Sequence, residues 1–270
     1  MAKQVTIVDL TAGAGLLAAN ANVIMQLARP GVGYGVVEST VESGQVMRHP
    51  WKRLRTTVTY LAVATAGTDE ERAAFRRAVN GQHRAVKSGA DSPVAYNAFD
   101  VDLQLWVAAC LYRGVMDVGR FLYPNADVTA DDEIYQDAAR LGTTLQVPQD
   151  RWPADRAEFE RYWKESLDRI LIDEPVRTYL DGLTRQAFLP WPLRVVGGRI
   201  NRFFTIGFLP EEFREQMRYE WSPQQQRRFD AALRAVALVN RVLPRPIRMF
   251  PGNAFLWDMR KRLKSNRPLV

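Results

Sequence analysis

Apolar residues recur at helical spacing along most of this chain. Phe75, Val79, His83 and Val86 fall at i, i+4, i+8 and i+11, so a helix carries them on one face. That helix is expected to open at Thr68-Asp69-Glu70-Glu71, a capping box, and to stop at Ser88-Gly89. A partner helix ahead of it opens at Pro50 and runs out at Gly67, which makes a hairpin. Val101, Leu105, Ala108 and Tyr112 mark a long helix from Asp100 to Tyr123-Pro124. A further start at Thr129, with Asp131, Asp132 and Glu133, predicts a helix to about Gly142. Residues 148–153 form a connector. Phe159, Tyr162, Trp163, Leu167 and Ile170 make another amphipathic stripe. Helices are also expected from Glu174-Pro175 and from Ser222-Pro223, the latter with Phe229, Leu233, Val236 and Val239 in register. Pro190-Trp191-Pro192 breaks the chain ahead of an apolar stretch over residues 195–209.

The N-terminal part is less regular. Residues 10–28 carry no charge and predict a buried helix capped by Thr11 and stopped by Pro30. Gly13, Gly15, Asn20, Asn22 and Gln26 dilute it below what a membrane span needs. Residues 31–49 hold four glycines and predict irregular chain; no Gly-Lys-Ser/Thr closes them, so a phosphate-binding loop is excluded. Alternation of period two is confined to Val5-Thr6-Ile7-Val8. The pattern predicts an all-α protein of about ten helices, of globin-like or helical-bundle type. Residues 1–240 form one large domain, and 241–270 a basic C-terminal extension packed on it or trailing from it.

Composition sharpens this picture at three points. With 270 residues, 47% of them hydrophobic, and seven Trp, there is ample material for a core. A single cysteine, Cys110, excludes internal disulfides and any multi-cysteine metal site; within the apolar run 105–111 it is an inert core thiol. The net charge of +7 resides in residues 241–270, which hold eight basic residues and one acid, so the preceding 240 residues sum to zero. No nucleic-acid-binding motif accompanies that charge. It can instead meet an anionic membrane surface peripherally. Lys3 followed by Asp9 is a poor start for a signal peptide, which implies a cytoplasmic protein.

The chemistry depends on His83, one of only two histidines. Spacing alone leaves two readings, a core histidine with a backbone partner or a metal or haem ligand. Arg53-Leu54-x-x-Thr57 on one helix, followed by Val79-x-x-x-His83 on the next, resembles the family of latex-clearing proteins and MpaB-type oxygenases. Ala28-Arg29-Pro30 with Gly35-Val36-Val37-Glu38-Ser39 extends the resemblance, as do Tyr96-Asn97-Ala98-Phe99-Asp100 and Leu105-Trp106-Val107. So do Phe159-Glu160-x-Tyr162-Trp163 and Gly207-Phe208-Leu209-Pro210 with Phe213-Arg214. Together these motifs cover roughly residues 12–225.

The resemblance implies an all-helical protein binding one haem b, with His83 as the axial iron ligand beside Val79 and Val86. Arg53, Thr57 and Thr56 would lie on the distal side, and Glu38 is similar to a family acid that acts as a base. The implied activity is O₂-dependent oxidation of a hydrophobic, isoprenoid-like substrate, with cleavage of a C=C bond as the best-known reaction. Two positions depart from the pattern. Arg29 stands where many members have a histidine and cannot ligate iron. Thr56 stands where many have a lysine or arginine, which removes a distal amine. Without the resemblance, Arg53 beside Lys52 and Arg55 reads as a solvated basic face. His49, immediately before Pro50, reads as a loop or N-cap residue. A different class of function remains open, a helical protein that binds haem or a lipophile and catalyses nothing.

Overall fold

The computed structural model describes residues 5–41, 45–128 and 130–270. Helices form nearly everything, as the pattern predicts; among the described residues the only β pairing is an isolated bridge between Lys87 and Asn97. The first helices are α1 (Ile7–Leu10), α2 (Ala19–Leu27) and α3 (Pro30–Val37), with a 3-10 helix at Gly13–Ala18. The hairpin comes next, as α4 (Pro50–Ala66) and α5 (Asp69–His83). Then come α6 (Val101–Leu122), α7 (Asp132–Ala138), α8 (Arg140–Thr143), α9 (Arg156–Leu167) and α10 (Glu174–Thr184). The chain ends in α11 (Trp191–Phe208), α12 (Glu211–Gln216), α13 (Pro223–Val242), α14 (Arg245–Arg248) and α15 (Gly252–Lys264).

Several starts are made by the residues that announce them. Thr68 accepts from the Glu71 amide at 3.3 Å while Glu71 accepts from the Thr68 amide at 3.0 Å, a reciprocal box. Asp100 accepts from the amides of Asp102 and Leu103 at the head of α6. Ser222 and Gln225 repeat the box ahead of α13. Asp131 caps α7, whereas Thr129 lies outside the described residues.

Four expectations are corrected. Residues 5–8 are not a strand: Asp9 accepts from both the Thr6 amide and the Thr6 hydroxyl, which closes a helical turn. The single helix expected over 10–28 is broken into a 3-10 turn and α2, and Thr11 ends α1 instead of capping a longer helix. Gly13 permits this path, since a Cβ there would run into the Phe250 carbonyl oxygen. Residues 30–37 are helical despite three glycines, because Pro30 starts the helix and Gly31, Gly33, Tyr34 and Gly35 are buried against neighbouring elements. The hairpin's second helix ends at His83, not at Ser88-Gly89.

The long helix α6 is the axis of the core and touches α1, α2, α8 and α13. Trp106 on α6 stacks on Trp163 of α9 with ring centroids 5.1 Å apart, and Tyr112 meets Phe159 edge-on at 4.7 Å. Arg113 spans this cluster, 4.8 Å above the Trp163 ring and 2.5 Å from Glu160. Cys110 is fully buried. The basic extension folds back. α15 lies along α4, where Arg55 pairs with Asp258 at 3.3 Å and Trp51 meets Phe255. Leu256 and Met259 bury themselves against Val63 and Phe75. No helix among the described residues is long and apolar enough to cross a membrane.

Candidate active site

The α4–α5 hairpin, α3 and the first half of α6 enclose a cavity of about 260 Å³. Residues 86–98 close it. The chain leaves α5 at His83, and the amides of Ser88 and Ala98 donate to the carbonyls of Tyr96 and Val86, each at 2.9 Å. This pairing returns Tyr96, Asn97 and Ala98 to the cavity wall. α3 can approach from the other side because Gly31 has no Cβ; one placed there would stand 2.9 Å from a Leu103 methyl.

Most of the wall is apolar, from Val32, Val36, Phe75, Val79, Val86, Leu103, Val107 and Leu111. Arg53, Thr56, Thr57, Tyr60 and His83 also line it. The hairpin thus brings both sets of sequence-identified side chains to one space. Val86 takes part although it lies beyond the end of α5.

Polar atoms of two of these residues have no hydrogen-bond partner among the described residues. The Thr56 hydroxyl and Nδ1 of His83 are both buried without a hydrogen bond. Thr59 and Thr65 on the same helix differ, because their hydroxyls bond back to the carbonyls of Arg55 and Leu61 at 2.7 and 2.8 Å. Arg53 makes no ion pair among the described residues, unlike Arg55 two positions on. Its guanidinium is cut off from bulk water, which lowers its pKa, yet arginine keeps its proton at neutral pH.

His83 is held neutral. Burial lowers its pKa to about 4, and the Arg53 charge adds to the shift. Its place in the last turn of α5 works the other way, since a helix C-terminus favours imidazolium by about 0.3–1 kcal/mol. A shift from 6.5 to about 4 corresponds to about 3 kcal/mol, so burial outweighs the dipole. Phe99 meets the ring edge-on at 6.2 Å. Among the described residues no three His, Cys, Asp or Glu side chains gather as metal ligands. A lone neutral imidazole in an apolar cavity suits an iron whose other ligands come from a macrocycle.

One expected site residue, Glu38, lies outside the cavity, and so do Arg29 and His49, which were not expected to hold iron. Glu38, the C-cap of α3, is not among its lining; it accepts a 2.8 Å hydrogen bond from the hydroxyl of Tyr96, which is. Burial and that carboxylate push the Tyr96 pKa up to about 12. Arg29 is buried away from the cavity, donating to the Ser166 carbonyl and lying over Trp106. His49 is the residue ahead of α4, outside the lining.

Pattern reading missed a polar brace. Gln104 donates to the Ala98 carbonyl and to the Gln146 side chain, each at 2.7 Å, and Gln146 donates to Asn80. It ties α5, α6 and the returning chain together around the cavity. Its only sequence signal is a polar residue, Gln104, on the otherwise apolar inner part of α6. Val270 was missed as well, and its side chain lines the cavity near Phe75 and Val79.

Residues 8–238 match the sequence profile of the ER-bound oxygenase mpaB/B'/rubber oxygenase catalytic domain. Two proteins named as uncharacterized, one from Mycobacterium bovis and one from Mycobacterium tuberculosis, are each 59% identical to this chain over 251 residues. In both cases the match spans 93% of this chain and 98% of the relative. No solved structure gives a significant match.

Proposed function

The chain belongs to the mpaB/rubber oxygenase catalytic-domain family, and on that premise we propose that it is a haem b-dependent oxygenase. It uses O₂ to oxidise a hydrophobic, isoprenoid-like substrate, by cleavage of a C=C bond or a related oxidation. The observation that carries this reading is a pair of buried, unpartnered polar atoms, the Thr56 hydroxyl and Nδ1 of His83, beside the Arg53 charge in one mainly apolar cavity. Buried polar groups are nearly always hydrogen-bonded, so two orphans in one cavity point to a bound group that completes them.

His83 would hold the iron, and Val79 and Val86 would contact the macrocycle from the same wall. When bound, the haem supplies O₂ activation. The protein's own groups do the rest. A neutral His83 keeps a nitrogen lone pair available at pH 7. Arg53 offers a fixed positive donor, to an anionic edge of the cofactor or to negative charge developing on oxygen. Thr57 and Thr56 add neutral donors from the same helix. The Val and Leu lining excludes water and accepts an apolar substrate. Glu38 can act on the cavity only through the Tyr96 hydroxyl, as an acceptor that orients it.

The test is an absorption spectrum of protein expressed with ample haem. Wild type and His49→Ala are expected to show a Soret band at full occupancy, and His83→Ala to lose it. Full occupancy in His83→Ala would overturn the assignment. Oxidation of an isoprenoid under O₂ then separates an oxygenase from a protein that merely binds haem.

A further inference from the structure

A second cavity, of about 520 Å³, lies between the end of α10 and the first turns of α11. It is lined by Arg185, Arg194, Arg199 and Arg202 together with Trp191, and no carboxylate of the described residues lines it. Only Arg185 has an ion pair, with Asp181 at 2.7 Å; Arg194, Arg199 and Arg202 make none among the described residues. Nη1 of Arg202 is buried without a hydrogen bond, and its guanidinium stands 4.5 Å over the Tyr219 ring. The arginines are forced together by the backbone. A Cβ at Gly198 would stand 2.5 Å from the Arg185 carbonyl oxygen, so only glycine lets α11 come this close to α10. Asn201 fixes the approach by donating to the Thr184 carbonyl at 2.8 Å. Arg194, Arg199 and Arg202, the three without an ion pair, repel across this space, and an anion relieves that repulsion.

Beside this cavity α11 turns an apolar stripe to solvent. Leu193, Val196 and Ile200 fall at i, i+3 and i+7 and are 62%, 62% and 53% exposed; Trp191 is 70% exposed. At 100° per residue, Arg194 and Arg199 flank the stripe on either side. An exposed apolar stripe with flanking arginines is the pattern of a helix lying in a membrane interface. Eleven of the fourteen exposed large hydrophobic side chains among the described residues come after Leu189, so exposed apolar surface is concentrated in the last third of the sequence.

We propose that α11 docks the protein on an anionic lipid bilayer, with the arginine cavity taking a lipid phosphate and Leu193, Val196 and Ile200 entering the interface. This moves the membrane contact away from the basic extension, where Arg245, Arg260 and Arg262 already pair with Asp9, Glu71 and Asp258. The inference does not depend on the oxygenase reading.

Flotation of the full chain with vesicles tests it. Wild type is expected to bind phosphatidylcholine vesicles containing phosphatidylglycerol, to ignore phosphatidylcholine alone, and to be released by salt. Arg194→Gln with Arg199→Gln should weaken binding about 30-fold, about fivefold for each charge. Val196→Ser with Ile200→Ser should weaken it too. Both pairs are exposed, and circular dichroism would show the fold retained. Absent or charge-independent vesicle binding overturns the proposal, as does wild-type binding by both pairs. Binding of inorganic phosphate without vesicle binding would assign the cavity to a soluble anion and overturn it equally.

Discussion

The neutral state of His83 can be measured without cofactor or substrate. In the cofactor-free protein, burial and then the Arg53 charge hold its pKa near 4, against 6.5 for an ordinary histidine. The difference corresponds to about 3 kcal/mol against the imidazolium form. The sign for stability is set by where the proton binds. Between about pH 6.5 and 4 the unfolded chain takes up a proton that the folded chain does not, so stability falls as pH falls through that window. Above it the His83 contribution is constant. At pH 5 the loss relative to pH 8 is about 2 kcal/mol from this one group. The assay is proton NMR of the imidazole in His49→Gln, which leaves His83 as the only histidine. Urea unfolding at pH 8 and pH 5 accompanies it. Arg53→Gln removes the secondary cause and should raise the His83 pKa part of the way toward 6.5. His83→Gln should abolish the 2 kcal/mol difference. A His83 resonance titrating near 6.5 in the folded protein would show that the ring is solvated and would refute the site described above.

Two further predictions concern neighbours of His83. Arg53→Ala should leave haem bound and reduce turnover about 100- to 1000-fold, the usual cost of removing one positioned donor from a water-poor site, with Thr57→Ala costing less. Steady-state oxidation by protein of equal Soret intensity checks it, and wild-type turnover would place Arg53 outside the chemistry. Phe75→Ala should destabilise by about 3 kcal/mol, the low end for a buried phenylalanine, because Phe75 already borders a void on one side. The midpoint of a urea transition measures this, and a loss below about 1 kcal/mol would mean that the tail does not pack on Phe75 as described.

Element starts were legible where one residue makes the first turn. Pro50, Thr68, Asp100 and Ser222 each open a helix, and all but Pro50 accept from an amide two or three residues on. Elements stabilised by distant partners were not. α3 carries glycines at 31, 33 and 35, which its own turns disfavour, and it is helical because Leu103, Tyr96 and Val176 pack against the bare backbone. α15 was hidden by its charge. Arg260, Lys261, Arg262 and Lys264 suggest a solvated tail, whereas Leu256 and Met259 between them bury the helix on α4. Val239 erred the other way. At i+10 from Phe229 it stands about 80° off that stripe and is 56% exposed, while Asn240 at i+11 continues the stripe and is buried.

The site shows the same division at finer scale. That Arg53 and Thr57 share a face is a consequence of the 3.6-residue period, and so is the stripe through His83. Which way α4 turns that face is not local information. Arg53 and Arg55 are chemically identical and two positions apart, so no helical rule says which enters the cavity. Asp258, about 200 residues downstream, pairs with Arg55, whereas Arg53 pairs with no carboxylate among the described residues. The docked extension also reaches the cavity itself, where Val270 lines the wall. The same logic places Glu38 outside. Its approach from α3 is blocked by Tyr96, which gives the carboxylate its hydrogen bond and fills the wall position itself. A residue's role here depends on which neighbour satisfies its charge, and that is decided by contacts between elements far apart in the chain.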